Sequence, residues 1–191
     1  MFSLFQERNS AITLDGSRVM LRPPRRGDAG AWAALRQASR EFLQPWEPTW
    51  PADGASRAAF HRRRLQILSE WRSGYGNGFF IFQRDGATLL GGITLSNIRR
   101  GVADTASLGY WIGAPHARQG YSTEAVRCVL DYALGALRLH RVEAACVPEN
   151  IASRALLLKC GFQEEGLARG YLKIDGRWRD HVTFAMLAGE R

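Results

Sequence analysis

Long apolar runs are missing from this chain. No stretch reaches the roughly 18 residues that a membrane-spanning helix needs, so no membrane association is expected. The opening residues, Met1-Phe2-Ser3-Leu4-Phe5-Gln6-Glu7-Arg8, lack a basic segment followed by an apolar one. No secretory signal is read there, and a cytoplasmic location is the expectation. Cysteine is scarce. Cys128, Cys146 and Cys160, with 17 and 13 residues between them, match no zinc pattern, and an odd count argues against a disulfide framework. Buried structural thiols are expected instead. Fixed-period repeats and low-complexity tracts are absent too, which excludes a solenoid or an array.

What is present suits one globular unit. A chain of 191 residues can bury one sizeable core and is short for two. Its 46% hydrophobic and 23% charged residues are ordinary for a soluble domain. The net charge of +8 attracts polyanions. A phosphorylated cofactor, RNA or a ribosome-like particle would each fit, as would a merely soluble surface biased to arginine; charge alone does not choose.

Residues 12–22 read as two short strands around an Asp15-Gly16 turn. Asp28 is placed to cap a helix carrying Trp32, Leu35 and Ala38 on one face. Pro45, Pro48 and Pro51 exclude a regular helix or a central strand from the stretch that begins at Phe42. Trp46 and Trp50 in the same stretch suggest a packed lid or a substrate wall. Helical spacing returns over residues 56–71 through Phe60, Arg64 and Ile67 or Leu68. The basic run His61-Arg62-Arg63-Arg64 there reads as a solvated face or a binding patch. Strands over 78–83 and 89–95 flank Asp85-Gly86, and a third covers 107–113. A helix over 122–137 sets Val126, Val129, Leu130, Ala133 and Leu137 on its apolar face. A strand over 141–147, a helix over 151–160 and two strands around Asp175-Gly176 complete the chain. This order predicts a single α/β domain with one right-handed parallel crossover between Leu108 and Cys160.

Chemistry concentrates where the strand ending at Ile112 runs into the next helix. Gly120 permits close backbone approach, and Ser122 or Thr123 can begin the helix. Free N–H groups at a helix start form an anion site, and Arg118 adds a positive charge that pairs with phosphate. The pyrophosphate of coenzyme A or of a nucleotide would suit it. One strand later Asn150-Ile151-Ala152-Ser153 opens another helix, which closes at Lys159-Cys160-Gly161-Phe162. Gly161 fits a left-handed helix end, Asn150 an N-cap, and Ser153 a first-turn residue bonded back to it.

Together these elements resemble the GCN5-related N-acetyltransferase (GNAT) superfamily. Its cofactor loop, Gln/Arg-x-x-Gly-x-Gly/Ala, falls on Ala117-Arg118-Gln119-Gly120-Tyr121-Ser122, with the central glycine kept and both end positions changed. Its later element, Asn-x-x-Ala/Ser followed by Lys-x-Gly-Phe, falls on Asn150, Ser153, Lys159, Gly161 and Phe162. Further stretches are similar to the RimJ-type ribosomal-protein-alanine N-acetyltransferases, from near residue 18 to near residue 188. They are Phe42-Leu43-Gln44-Pro45-Trp46-Glu47-Pro48, Ser96-Asn97-Ile98-Arg99-Arg100-Gly101, Leu108-Gly109-Tyr110 and Ile174-Asp175-Gly176-Arg177-Trp178-Arg179-Asp180-His181-Val182.

The resemblance implies a GNAT fold over residues 11–191, behind a flexible segment 1–10: one domain with a mixed, splayed central β-sheet flanked by helices. It implies acetyl-CoA as acetyl donor, no metal, and the N-terminal alanine of a small-subunit ribosomal protein as acceptor. The backbone of Tyr110, Trp111 and Ile112 would pair with pantetheine, and the N–H near Ile112 would face the oxyanion. Arg118, Gln119, Gly120, Tyr121, Ser122 and Thr123 would hold the pyrophosphate, and Asn150 the pantetheine arm or a water. Many superfamily members place an acidic tyrosine seven residues after this Asn. Leu157 stands there, so the resemblance moves thiolate stabilisation to Ser153. The glutamate that serves a related enzyme as base falls on Leu172. Glu47, Asp180 or a water relay remains for that task. Phe42, Trp46, Glu47, Tyr75, Tyr171 and Trp178 are candidate walls of the acceptor site. Two other readings stay open: an acetyltransferase for a small-molecule amine, and an RNA- or ribosome-binding assembly factor.

Overall fold

The computed structural model describes residues 12–190. The expected flexible segment 1–10 lies outside them. The strands form one eight-stranded sheet: β1 (Leu14–Asp15), β2 (Val19–Arg22), β3 (Asn77–Gln83), β4 (Leu89–Arg99), β5 (Thr105–Ile112), β6 (Arg141–Cys146), β7 (Gln163–Ile174) and β8 (Arg177–Leu187). Their spatial order is β1-β2-β3-β4-β5-β6-β8-β7. The helices are α1 (Ala29–Ala38), α2 (Arg40–Leu43), α3 (Arg57–Ser73), α4 (Tyr121–Leu130) and α5 (Ile151–Lys159).

Among the described strands only β5 and β6 run parallel, with α4 in the crossover, and their pairing is short. Thr105 to Leu108 face Arg141 to Ala144. Beyond Leu108 the strands part. β5 stays on β4 as far as the Gly91–Ile112 pair, while β6 stays on β8 as far as Cys146–Val182. The sheet is therefore mixed and splayed, and the open edge of β5 lies beside the loop that enters α4.

Strand alternation sends side chains to two faces. On one, Ala106, Leu108, Val142, Ala144, Val182, Phe184 and Met186 pack with Val126, Val129 and Leu130 of α4 and Leu157 of α5. On the other, Phe80, Phe82 and Leu89 pack with Trp32 and Leu35 of α1, Phe60 of α3 and Trp111 of β5. The Trp111 indole lies over Gly92, where a Cβ would come within 2.6 Å of Nε1. Gly92→Ala is expected to destabilise the fold by about 1–3 kcal/mol. The measurement is urea unfolding, with a lower midpoint and an unchanged slope.

Several local expectations are corrected. Asp28 does not cap α1 with its side chain. Its carboxylate takes two bonds of 2.8 Å from the Arg22 guanidinium and one of 2.7 Å from Arg25 N, closing a 3-10 turn ahead of the helix. Ala38 is exposed, and Ser39 is buried in its place. The α4 pattern does not run as one α-helix to Leu137; it changes to a π-helical turn over Asp131–Ala136, closed by Leu137 N donating to Tyr132 O. That turn leaves Leu137 half-buried and buries Tyr132, edge-on to Phe79. Phe42 and Leu43 are helical, because the prolines act only from Pro45, inside a 3-10 turn. Cys146 and Cys160 are buried thiols, whereas Cys128 is only half-buried.

Candidate active site

The loop into α4 is shaped by two residues with left-handed backbones, Arg118 at φ 61° and Gly120 at φ 84°. Gly120 stands at the N-cap and has no side chain to offer the first turn. The first helical bond runs from Glu124 N to Gly120 O. Among the described residues no acceptor faces the N–H groups of Tyr121, Ser122 and Thr123. Arg118 is exposed and has no ion-pair partner among those residues. Free donors, the positive end of a helix and an unpaired guanidinium make an anion site.

Arg18, from the β1–β2 hairpin, completes this site and had no signal in the sequence. Its Nη1 donates to Gln119 O at 3.1 Å, and its guanidinium lies 5.0 Å from the centre of the Tyr121 ring. Its backbone N and Nε bond the carboxylate of Glu124, at 2.7 and 3.3 Å, and Ser17 Oγ adds a third bond. Burial alone would raise the Glu124 pKa, but these bonds and the Arg18 charge carry it below the ordinary glutamate value. Arg18 thus cancels a negative charge that would repel phosphate. Arg18→Ala is expected to weaken CoA binding about tenfold, one charge-assisted contact, as read by titration calorimetry. A depressed carboxylate favours the folded state above its unfolded pKa, and the gain is lost as pH falls through the folded pKa. Removing Arg18 should therefore flatten the acid limb of thermal stability.

At the splay, Gly113 N donates to Leu90 O across to β4. Antiparallel alternation then turns the backbone groups of Trp111 to β4 and those of Tyr110 and Ile112 to the open edge. Of the three strand residues expected to meet pantetheine, two face the opening; Trp111 faces β4. Asn150 caps α5, its Oδ1 accepting from Ser153 N at 3.1 Å. Ser153 Oγ lies 2.7 Å from the Tyr110 hydroxyl, and either oxygen can donate. Burial raises the Tyr110 pKa well above the usual phenol range, against a smaller downward pull from Ser153, so the phenol stays protonated. The Cys146 thiol is also pushed up by burial, with Ser153 as an opposing hydrogen-bond partner. Tyr110, Ser153 and Cys146 therefore meet at the opening. Leu157, at the position of the missing tyrosine, is 1% exposed in the core.

Glu47 is not a solvated loop carboxylate. Arg36 Nη1 and Nη2 bond its two oxygens at 2.8 and 2.6 Å, and Trp50 Nε1 adds 2.8 Å. The buried Arg36 guanidinium is stacked 3.8 Å from the Trp50 ring centre and 4.9 Å from that of Trp111. Glu47 O accepts from Asp175 N at 3.0 Å, so the proline-rich loop is tied to the β7–β8 turn. Phe42, Trp46, Tyr171 and Trp178 are exposed. Tyr75 stands elsewhere, bonded to Asn97 in the half of β4 that pairs with the start of β5. Asp180 Oδ1 accepts from Gly170 N at 2.7 Å. Leu172 is exposed and pairs with Arg179.

A splayed strand, an anion loop and a capped serine thus lie side by side. Residues 18–163 match the family model described as Acetyltransferase (GNAT) domain, and the chain belongs to that family. Among its relatives is the [ribosomal protein uS5]-alanine N-acetyltransferase of Escherichia coli K12, 33% identical over 92% of this chain and 90% of that one. RimJ of Mycobacterium smegmatis, solved in complex with CoA-disulfide, is 37% identical with a TM-score of 0.89, over 94% of this chain and 88% of that one. The ribosomal-protein-S5-alanine acetyltransferase of Vibrio fischeri follows at 26% identity and TM-score 0.85, over 93% and 97%. Acetyl-CoA dependence follows from the family. Among the described residues no helix is long and apolar enough to cross a membrane, and no group of three or more His, Cys, Asp or Glu is placed to hold a metal.

Proposed function

We propose that this enzyme acetylates the N-terminal α-amino group of a protein, the N-terminal alanine of a small-subunit ribosomal protein being the acceptor. The observation that carries this is the one-third identity, over nine-tenths of both chains, with an enzyme named for that reaction. The tie between the Glu47 loop and the β7–β8 turn supports it, since it holds the loop that follows the exposed Phe42 and Trp46 to the turn before the exposed Trp178.

Acetyl-CoA, as substrate, supplies an activated acetyl thioester. Arg118, Arg18 and the N–H groups of Tyr121, Ser122 and Thr123 bind its pyrophosphate. The open edge of Tyr110 and Ile112 receives pantetheine, with Asn150 Nδ2 free to bond the arm or a water. An α-amine has a pKa of roughly 7.7–8.0, so a useful fraction is already neutral at pH 7 and only modest base assistance is needed. Its nitrogen forms the C–N bond while the C–S bond breaks. Ile112 N–H faces the oxygen that gains charge. The Tyr110 hydroxyl donates to Ser153 Oγ, which leaves the serine's own hydrogen for the departing sulfur. Glu47 has three of its lone pairs occupied and its charge is offset by Arg36, so it braces the proline-rich loop rather than taking the amine proton.

Incubation with acetyl-CoA and a panel of peptides and small amines, read by mass spectrometry, tests this. Acetylation of an Ala-initiated ribosomal peptide, at the α-nitrogen, is the expected result. Preference for polyamines or aminoglycosides would replace the reading with a small-molecule one. RNA or ribosome association is a second reading, favoured by the surface hollow lined by Arg26, His61, Arg64 and Leu65. Salt-dependent binding to ribosomal subunits without acetyl-CoA would establish it.

A further inference from the structure

The mechanism above leaves the amine proton without a taker, and one buried titratable side chain is unused. His181 is 3% exposed. It belongs to β8, one residue beyond the last β6–β8 pair, Cys146–Val182. The ladders locate it relative to the opening. Leu108 pairs with Ala144, and Ala144 with Phe184. Three residues further along each strand stand Trp111, Val147 and His181, in one row across the splay. Val182, Phe184 and Met186 face the α4 side. By alternation His181 faces the other side, which Trp111 shares with Arg36 and the Glu47 loop. Two strand spacings of about 4.8 Å, widened by the splay, separate β5 from β8 there, with the buried Val147 between them.

The ring is held in a defined state. His181 Nδ1 lies 3.0 Å from Arg179 O. A carbonyl only accepts, so Nδ1 carries the hydrogen and the neutral ring has its lone pair on Nε2. Among the described residues nothing hydrogen-bonds Nε2. A bulge supports the ring from beside it. Ala168 pairs with His181 and Leu172 with Arg179, so β7 carries two extra residues opposite Asp180. Asp180 holds that bulge through Gly170 N. Tyr171, within it, is set edge-on to the imidazole at 5.7 Å. Bulges re-aim side chains in this way beside active sites. The charged neighbours have partners of their own: Arg179 pairs with Glu149, Asp180 with Gly170 N, Glu47 with Arg36 and Trp50. Among the described residues no carboxylate is bonded to the imidazole.

We propose that His181 is the general base of the reaction, its Nε2 taking the proton from the acceptor's α-ammonium, directly or through one water. The amine keeps its electron pair for the C–N bond; as the C–S bond breaks, the nitrogen's second proton passes through water to the departing sulfur, and the imidazolium returns its own proton to solvent between turnovers. The inference rests on the α-amine reading of the acceptor. Failure of that reading would appear as wild-type protein that acetylates no peptide. Failure of this one would appear only in the variants.

The test uses His181→Asn and His181→Gln. Asn places an amide nitrogen where Nδ1 stands and has nothing at Nε2. With the acceptor peptide, kcat at pH 7 is expected to fall about tenfold, below the usual range for acid–base groups because the amine is partly neutral. Unchanged acetyl-CoA affinity and an unchanged melting profile are expected. The deficit should shrink to within about twofold by pH 9, where the amine deprotonates unaided. A deficit equal at all pH values, a kcat near wild type at pH 7, or loss of cooperative melting in both variants would each overturn the proposal.

Discussion

Ser153→Ala is expected to lower kcat about 10- to 100-fold while the KM for acetyl-CoA moves less than twofold. A loss at or below the bottom of the usual range for general acids is expected because a thiol with a pKa near 8.5 leaves as thiolate without full protonation. What the serine adds is one oriented hydrogen bond to a developing charge. Its orientation comes from Tyr110, 2.7 Å away and kept protonated by burial. Tyr110→Phe should therefore lose about three- to tenfold in kcat, the part of one charge-assisted bond that depends on alignment. The backbone N–H of residue 153, which Asn150 caps, survives in the Ala variant, so helix α5 keeps its start. Binding of free CoA supplies a separate measurement. Wild-type affinity should rise with pH as the bound thiol ionises, and both variants should lose that rise. A full kcat in Ser153→Ala would remove the serine from the chemistry and leave water to meet the sulfur.

The sequence made the sheet legible because apolar alternation is local: strands β3 to β6, helix α5 and the start of helix α4 fall within a few residues of their expected ends. The α4 pattern carried no sign of its π-helical turn, since an i to i+5 bond depends on how Tyr132 packs against Trp71 and Phe79. The anion loop was legible through Gly120, but Arg18 was not, because its partners Gln119 and Glu124 lie about a hundred residues away. Tyr110 was legible only as backbone; its phenol meets Ser153 across 43 positions. Asp28 looked like a cap from its position, yet a buried arginine six residues before it had the stronger claim. His181 stood inside the stretch Asp-His-Val without distinction. Only the strand register shows that it shares a row with Trp111.

Arg36→Met should have the largest effect on stability. Breaking a buried ion pair by removing one partner costs roughly 3–5 kcal/mol. With Arg36 and Glu47 side chains 11% and 21% accessible, the lower end applies, about 3 kcal/mol. For a chain of this size that corresponds to a melting temperature about 6–12 °C lower. The loss has three parts: a bidentate pair with Glu47, stacking against Trp50 and Trp111, and the anchoring of the loop that reaches Asp175. Arg36→Lys keeps the charge but neither the fork nor the flat face, and should recover less than half of the loss. With the acceptor site placed as proposed, beside this loop and away from the anion site, the KM for peptide should rise about tenfold, one aligned contact's worth, with CoA affinity unchanged. Glu47→Gln separates framework from chemistry. It retains an amide oxygen for Trp50 and leaves Arg36 stacked between tryptophans, so a milder fall in both stability and peptide affinity is expected. If instead Glu47→Gln abolished turnover at an unchanged melting temperature, the carboxylate itself would be handling the amine, and the proton-accepting role would pass from His181 to Glu47.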